Sequence, residues 1–163
     1  MIDTIIRQAT AEDIDALLAL YAAFHTFHVR GVPDRLREPE TATDTQVRAL
    51  LATLLANPAA MLYIIAERAG HVVGLAEVEL KRDEEHPATV SYTYGYLQSL
   101  MVADGQRRSG VGARLVTAAQ EWARVHGATE LRLSVWEFPA GPLAFYEALG
   151  YTTLQRILVK RLD

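Results

Sequence analysis

The chain has 163 residues, half of them hydrophobic and 22% charged, a balance that predicts a single soluble domain over residues 1–163 with a sizeable core. Its formal net charge of -4 argues against nucleic acid as a partner, and the absence of cysteine excludes disulfides, thiolate metal sites and a cysteine nucleophile. No apolar run reaches the ~18 residues that span a bilayer, and Met1-Ile2-Asp3-Thr4 is not a basic-then-apolar leader, so a cytoplasmic protein without a membrane partner is expected.

Residues 4–8, with Ile5 and Ile6, read as a short strand. Thr10 then stands as a helix N-cap with Asp13 three residues on, close to a capping box. From Ala11 the apolar positions Ile14, Leu17, Leu18, Tyr21 and Phe24 follow helical spacing. Residues 31–43 hold two prolines and several charges and read as a loop. Asp44 opens a second helix with Val47, Leu50, Leu51, Leu54 and Leu55 on its apolar face, and Asn57-Pro58 ends it. Residues 61–67 and 71–81 read as two strands joined at Ala69-Gly70, a hairpin. A charged connection over 82–87 leads into a long strand region, 89–102. The next helix has Val111, Leu115, Ala118, Ala119 and Trp122 as its inner stripe and closes at His126-Gly127. Residues 131–136 alternate as a strand, 142–149 form a short helix stopped by Gly150, and 151–161 form one last strand or pair of strands. Strands interleaved with helices predict an α/β (α+β) sheet sandwich.

The most informative segment is Arg107-Arg108-Ser109-Gly110-Val111-Gly112-Ala113, which lies between an apolar strand and an amphipathic helix. The first amides of a helix have no intrahelical partner, and the helix dipole adds partial positive charge there. Glycines at 110 and 112 let a ligand approach the backbone without meeting a Cβ. The segment is not a Rossmann fingerprint, since position 115 is Leu, and no G-K-[ST] follows to make a Walker A loop. Taken alone it has two readings, a phosphate or pyrophosphate seat and a plain steric turn.

The order of the pieces decides between them. A strand ending in Val102, then Arg107-x-x-Gly110-x-Gly112 and a helix, then a strand, then Phe145-Tyr146-Glu147-Ala148-Leu149-Gly150-Tyr151, resembles the GCN5-related N-acetyltransferase family. The two signatures stand 33 residues apart, from Gly112 to Phe145, and Ile6-Arg7-Gln8-Ala9-Thr10-Ala11-Glu12-Asp13 resembles the family's usual opening. The resemblance implies a mixed, twisted central sheet of about six to seven strands with helices on both faces, splayed near residues 102 and 131. It implies acetyl-CoA as cosubstrate, no metal, and direct attack of a primary amine, of a small molecule or peptide, on the thioester. Arg107, Arg108, Ser109, Gly110, Val111, Gly112 and Ala113 would hold the pyrophosphate, the backbone amides directly and the arginines by charge. Leu100, Met101 and Val102 would flank the pantetheine arm, with one amide facing the thioester carbonyl. Tyr146 resembles the family's general acid; a phenol titrates near about 10 and so carries its proton at neutral pH. The same residue also reads as a helix tyrosine packed into the core.

Two positions depart from the family pattern. Gln98 occupies the place where many relatives carry an acidic residue, and an amide is no useful proton acceptor. Glu77 and Glu79, on one face of the preceding strand, are the alternative bases, or are solvated strand residues. Pro139 and Pro142 replace the Asn and Ala of an N-x-x-A element, which takes away the Asn contact to the cofactor while leaving Pro142 well placed in a first helical turn. On the acceptor side the resemblance points to His25, His28, Tyr92, Tyr94 and Trp136, and the substrate-binding set is His28, Glu79, Gln98 and Trp136. Gln98 and Pro139 keep open a second function, a non-catalytic acyl-CoA-binding or sensory module. A homodimer through the C-terminal strand region is a further implication of the family.

Overall fold

Apolar residues at consecutive positions of the central strands give each of them one buried face toward each of two helical layers. The architecture is that of a computed structural model, which describes residues 3–38, 44–58 and 61–162. Five strands form one sheet in the order β1-β2-β3-β4-β5: β1 (Thr4–Gln8), β2 (Leu62–Arg68), β3 (His71–Arg82), β4 (Thr93–Val102) and β5 (Glu130–Arg132). Neighbours are antiparallel from β1 to β4, and β5 joins β4 in parallel through a helical crossover. Tyr63, Ile65, Leu75 and Met101 are buried under Leu17 and Leu20 of α1 (Ile14–Gly31) and Leu51 of α2 (Asp44–Leu55). On the other face Ile64, Ala66, Ala76, Val78 and Leu97 are buried under Val111, Leu115, Val116 and Ala119 of α3 (Val111–Val125). A short helix α4 (Leu143–Ala148) adds Tyr146 to this second core. The α3 layer lies flush on the sheet at Gly95, where a Cβ would stand 2.6 Å from that of Ala123.

Local chemistry sets the joints. The β2–β3 hairpin turns on Ala69 and Gly70, both at positive φ (48° and 78°), the two-residue geometry that matches strand twist. The entry to α1 is a 3-10 turn (Ala11–Asp13) in which the Thr10 N–H donates to Asp13 Oδ2 at 2.7 Å. Arg7 of β1 clamps the same carboxylate through two 2.8 Å hydrogen bonds and reaches Glu67 of β2 at 3.0 Å. The Arg7 guanidinium, with Thr10 assisting, holds the buried Asp13 carboxyl below the usual carboxylate range.

Several elements differ from the sequence expectation. The sheet has five strands, not six to seven, because β5 ends at Arg132 rather than at 136 and residues 151–162 form no strand. Apolar alternation supplies the side chains of a strand but not the partner edge. The β5 edge that would template a further strand is three residues long, and Leu154, Ile157, Leu158, Val159 and Leu162 stay exposed. β4 starts at Thr93, not 89, because Asp83 and Tyr92 close the preceding loop with hydrogen bonds of 2.9 and 3.2 Å. Leu50, assigned to the inner face of α2, is 58% exposed, while Val47, Leu51, Leu54 and Leu55 do face the core. Gly31 closes α1 instead of opening the loop, and residues 39–43 of that loop lie outside the described residues.

Two irregularities in β4 shape its free side. Glu77 pairs with Ser99 and Val78 with Leu97, so Gln98 is an extra residue, a β-bulge. β5 pairs only with Tyr94, Gly95 and Tyr96, after which the strands part. The split therefore opens at residues 97 and 133, earlier on β4 than the expected 102, since the bulge at Gln98 bends the strand just past the last pair.

The Arg7–Asp13 clamp yields a stability prediction. Asp13 titrates lower folded than unfolded, so its contribution is present above the unfolded value and is lost as pH falls through the folded one. Asp13→Asn is expected to lower the unfolding free energy at neutral pH by about 2 kcal/mol, as loss of a charged hydrogen-bond pair does. The deficit should shrink toward pH ~2, read by urea denaturation across pH.

Candidate functional site

The glycine turn begins where β4 ends. After Val102 the chain makes a 3-10 turn (Asp104–Gln106), and Arg108 and Gly110 then adopt positive φ of 60° and 83° on either side of Ser109. The Arg114 N–H donates to the Gly110 carbonyl at 3.1 Å, the first internal bond of α3. The amides of Val111, Gly112 and Ala113 thus have no acceptor within the helix. No side chain caps this end, and its first turn holds no acidic residue. A Cβ at Gly110 would meet nothing within 4 Å, so the space above these amides is open. Open helix-start amides flanked by left-handed residues form a receptor for an anion.

The turn is held from beneath by a residue the sequence did not reveal. Arg68, the last residue of β2, donates to Gln106 Oε1 at 2.9 Å and to the Ser109 carbonyl at 3.3 Å, while its Nε bonds Thr4 Oγ1 at 2.5 Å. Arg107 pairs with Asp104 at 2.9 Å and stacks on Phe27 of α1 at 4.9 Å, which turns part of its charge to anchoring the turn. Arg108 and Ser109 are exposed. Gly112 permits close packing: a Cβ there would stand 3.2 Å from the Phe145 ring and 3.6 Å from Val102.

Beyond Tyr96 and Arg132 the strands β4 and β5 no longer pair, which leaves a slot between them. Leu100 and Val102 point to the α3 layer, and Met101, 3% exposed, points into the α1 core, so it offers the slot its backbone. The Tyr146 ring is buried against Phe145 and Tyr151, with centroids 5.1 and 5.6 Å away. Burial, reinforced by Tyr151, pushes its phenol well above the ordinary value, so it keeps its proton. Among the described residues no buried side-chain oxygen is left without a partner. The two readings of Tyr146 meet in one residue, a core ring with a polar tip.

The residues expected on the acceptor side come from α1, β3, β4 and the segment after β5. Gln98 is exposed on the bulge. Glu79 is bound to Lys81 at 2.7 Å, and the Lys81 ammonium lies 4.2 Å from the Tyr96 ring centroid. Arg132 stacks on Tyr94 at 3.9 Å and is held by Asp83 through bonds of 2.6 and 2.9 Å. Trp136 is 45% exposed beyond β5, and Tyr92 is exposed as well. His28 sits in an aromatic bridge with Phe24, Phe27 and Phe138. Its Nδ1 lies 2.9 Å from the Phe24 carbonyl, which only accepts, so Nδ1 carries a hydrogen. His25 bonds the Arg37 carbonyl instead, and no group of three or more potential metal ligands occurs among the described residues. Glu77 is not a solvated strand residue: it is 5% exposed and accepts a hydrogen bond from Tyr21. Two shallow hollows of about 350 and 390 Å³ lie elsewhere, one beside Glu12 and Arg48, the other beside Glu85 and His86; neither touches the turn or Tyr146.

Comparisons with known proteins agree with this geometry. The model of the acetyltransferase (GNAT) family matches residues 14–151. An aminoglycoside N(6')-acetyltransferase type 1 of Klebsiella aerogenes is 29% identical over 113 residues, 69% of this chain and 72% of that protein. The uncharacterized N-acetyltransferase YhfO of Bacillus subtilis (strain 168) is 29% identical over 150 residues, 90% of this chain and 88% of that protein. Among solved structures, a mutant form of the BH1408 protein from Bacillus halodurans superposes with a TM-score of 0.84 at 21% identity, over 98% of this chain and 99% of that one. The aminoglycoside N-acetyltransferase AAC(6')-Iy in complex with CoA superposes with a TM-score of 0.69 at 18% identity, over 98% and 99% of the two chains. At these identities the structural likeness is one of fold.

The contacts of Arg68 predict a local effect. Arg68→Ala is expected to speed amide hydrogen exchange across residues 107–113 by about tenfold, the scale of hydrogen bonds lost from a cation. Exchange in the middle of α3 should stay as in the parent protein, as read by mass spectrometry.

Proposed function

The chain belongs to the acetyltransferase (GNAT) family, and we propose that it transfers the acetyl group of acetyl-CoA to a primary amine of a small molecule or peptide. The observation that carries this reading is the uncapped, open start of α3 at the head of the slot between β4 and β5, with Tyr146 bordering the same core. The amides from Arg108 to Ala113 receive the pyrophosphate, and Arg68 keeps their carbonyl side in register. The pantetheine arm runs along the unpaired edge of β4 toward Leu100, where a backbone N–H meets the thioester carbonyl. As negative charge develops on that oxygen, such a donor is worth roughly 3 kcal/mol.

The amine lone pair attacks the thioester carbon, and a C–N bond forms as the C–S bond breaks. The departing thiolate takes the Tyr146 proton, and the phenolate recovers one from water. The nitrogen of the adduct releases its surplus proton to water, with exposed Gln98 available to hydrogen-bond that water. The sum is acetyl-CoA plus amine giving amide plus CoA. Burial keeps the Tyr146 phenol protonated at neutral pH, so its proton is present when the thiolate leaves. Relatives named for aminoglycosides make a cationic amino sugar the first acceptor to test.

A non-catalytic acyl-CoA-binding module is the second reading, and Gln98 and Pro139 favour it. CoA release across a panel of primary amines separates the two: turnover establishes the transferase, and saturable binding without turnover establishes the module. Calorimetry should detect acetyl-CoA binding, and its absence at millimolar cofactor would end both readings. Tyr146→Phe is expected to lower kcat by about a hundredfold or more with little change in cofactor affinity, the range for loss of a general acid. Gly110→Val is expected to weaken cofactor binding by at least about tenfold, since its Cβ would occupy the ligand's space at a left-handed position.

A further inference from the structure

The end of α4 is a Schellman turn, and it brings two tyrosines together. Gly150 takes a positive φ of 87°, its N–H donates to the Glu147 carbonyl at 2.9 Å, and the Tyr151 N–H donates to the Tyr146 carbonyl at 3.1 Å. This geometry sets the side chain after the glycine against the one three places before the helix cap, here Leu149. The Tyr151 ring accordingly meets the Tyr146 ring edge-on, with centroids 5.6 Å apart and planes at 71°. Glycine is the residue that holds such a left-handed position without strain. The run Tyr146 to Tyr151 is therefore one physical unit, in which the glycine serves the contact between the two rings.

Both neighbours of the Tyr146 ring reach α3. The Tyr151 hydroxyl accepts a hydrogen bond from Gln120 Nε2 at 3.2 Å. On the other side the Phe145 ring lies 5.1 Å from that of Tyr146 and packs on Gly112, where a Cβ would stand 3.2 Å from it. Gly112 and Gln120 stand on one helix, about 12 Å apart at a rise of 1.5 Å per residue. The helix that opens with the glycine turn thus also fastens, further along, the rings on either side of Tyr146. That fastening matters for a phenol that delivers a proton. Its oxygen lies at the far end of the ring, so a change of rotamer moves it by several ångströms. Proton transfer needs heavy atoms about 2.6–3.2 Å apart. A six-residue helix such as α4 supplies little rigidity of its own.

We propose that Tyr151, anchored by Gln120, is a positioning residue for Tyr146: its ring fixes the orientation of the Tyr146 phenol, and α3 sets the distance from the donor seat to that phenol. Tyr151 transfers no proton and touches no substrate in this role. The assignment rests on the acetyl-transfer reading with Tyr146 as the acid, and adds to it the residues that keep the acid in place.

The test is a double-mutant cycle on kcat with acetyl-CoA and either kanamycin or n-butylamine, whichever the wild type acetylates faster. Tyr151→Ala is expected to lower kcat by at least about tenfold, the scale of a misplaced catalytic group. Its affinity for acetyl-CoA should stay within about twofold of wild type. In the Tyr146→Phe background the same substitution should change kcat by less than about twofold, because groups that act as a unit are not additive. A loss of packing alone would lower kcat equally in both backgrounds. Tyr151→Phe keeps the ring and is expected to hold kcat within about threefold of wild type, the effect of one exposed hydrogen bond. Equal losses in both backgrounds, no loss from Tyr151→Ala, or a Tyr151→Phe loss as large as that of Tyr151→Ala overturns the positioning role and leaves the transferase reading standing. Unchanged turnover in Tyr146→Phe overturns the acid assignment and the positioning role with it. A wild-type protein that binds acetyl-CoA and acetylates neither amine overturns the transferase reading itself. Where Tyr151→Ala does not fold, Tyr151→Leu takes its place in the same cycle and the same outcomes decide.

Discussion

β4 is tied to β3 along nearly its whole length and to β5 at only three residues. That asymmetry is the constraint on which the rest of the molecule depends. Paired backbone groups on one side fix the strand, and the groups left over on the other side need partners that the sheet does not supply. A ligand that runs as an extended chain can supply them. The bulge at Gln98 sets where the pairing stops, the flush packing of α3 at Gly95 sets where β5 can begin, and α4 fills the far side with Tyr146. Closing the split with a longer β5 would satisfy the sheet and remove the site.

Charge follows the same division. Near the glycine turn two arginines are tied to protein groups, Arg68 to Gln106 and Ser109 and Arg107 to Asp104 and Phe27. They shape the receptor, and the backbone amides present it. A receptor built from amides tolerates side-chain variation around it, because peptide dipoles are present whatever the side chain. On the α1 face the cations are also engaged, Lys81 with Glu79 and Tyr96, Arg132 with Asp83 and Tyr94. Glu77, on the same face, is bound by the Tyr21 hydroxyl instead.

What could be read from the sequence was what is local. The turn at 107–113, the helix stripe from Val111 to Trp122, the 69–70 hairpin and the cap at Asp13 each depend on residues a few positions apart, and each formed as the spacing required. Arg68 could not be read, because its partners lie 38 and 41 residues away and nothing marks it apart from any strand-end arginine. Glu77 was legible as a residue on the right face and illegible as a buried one, since its burial comes from α1 and β2 together. The C-terminal expectation failed for the complementary reason: alternation at 151–161 describes a strand's own side chains, and strand formation also needs an edge to pair with.

Local encoding of the donor seat and non-local encoding of the acceptor face have a consequence for how such a chain can vary. The seat is a run of backbone atoms in one segment, and its geometry depends on two left-handed residues and one buttress. The residues expected on the acceptor side come from several elements, and α1 meets the turn directly, since Phe27 stacks on Arg107. Tyr146 belongs to the α3 side, where its ring joins the core between that helix and the sheet.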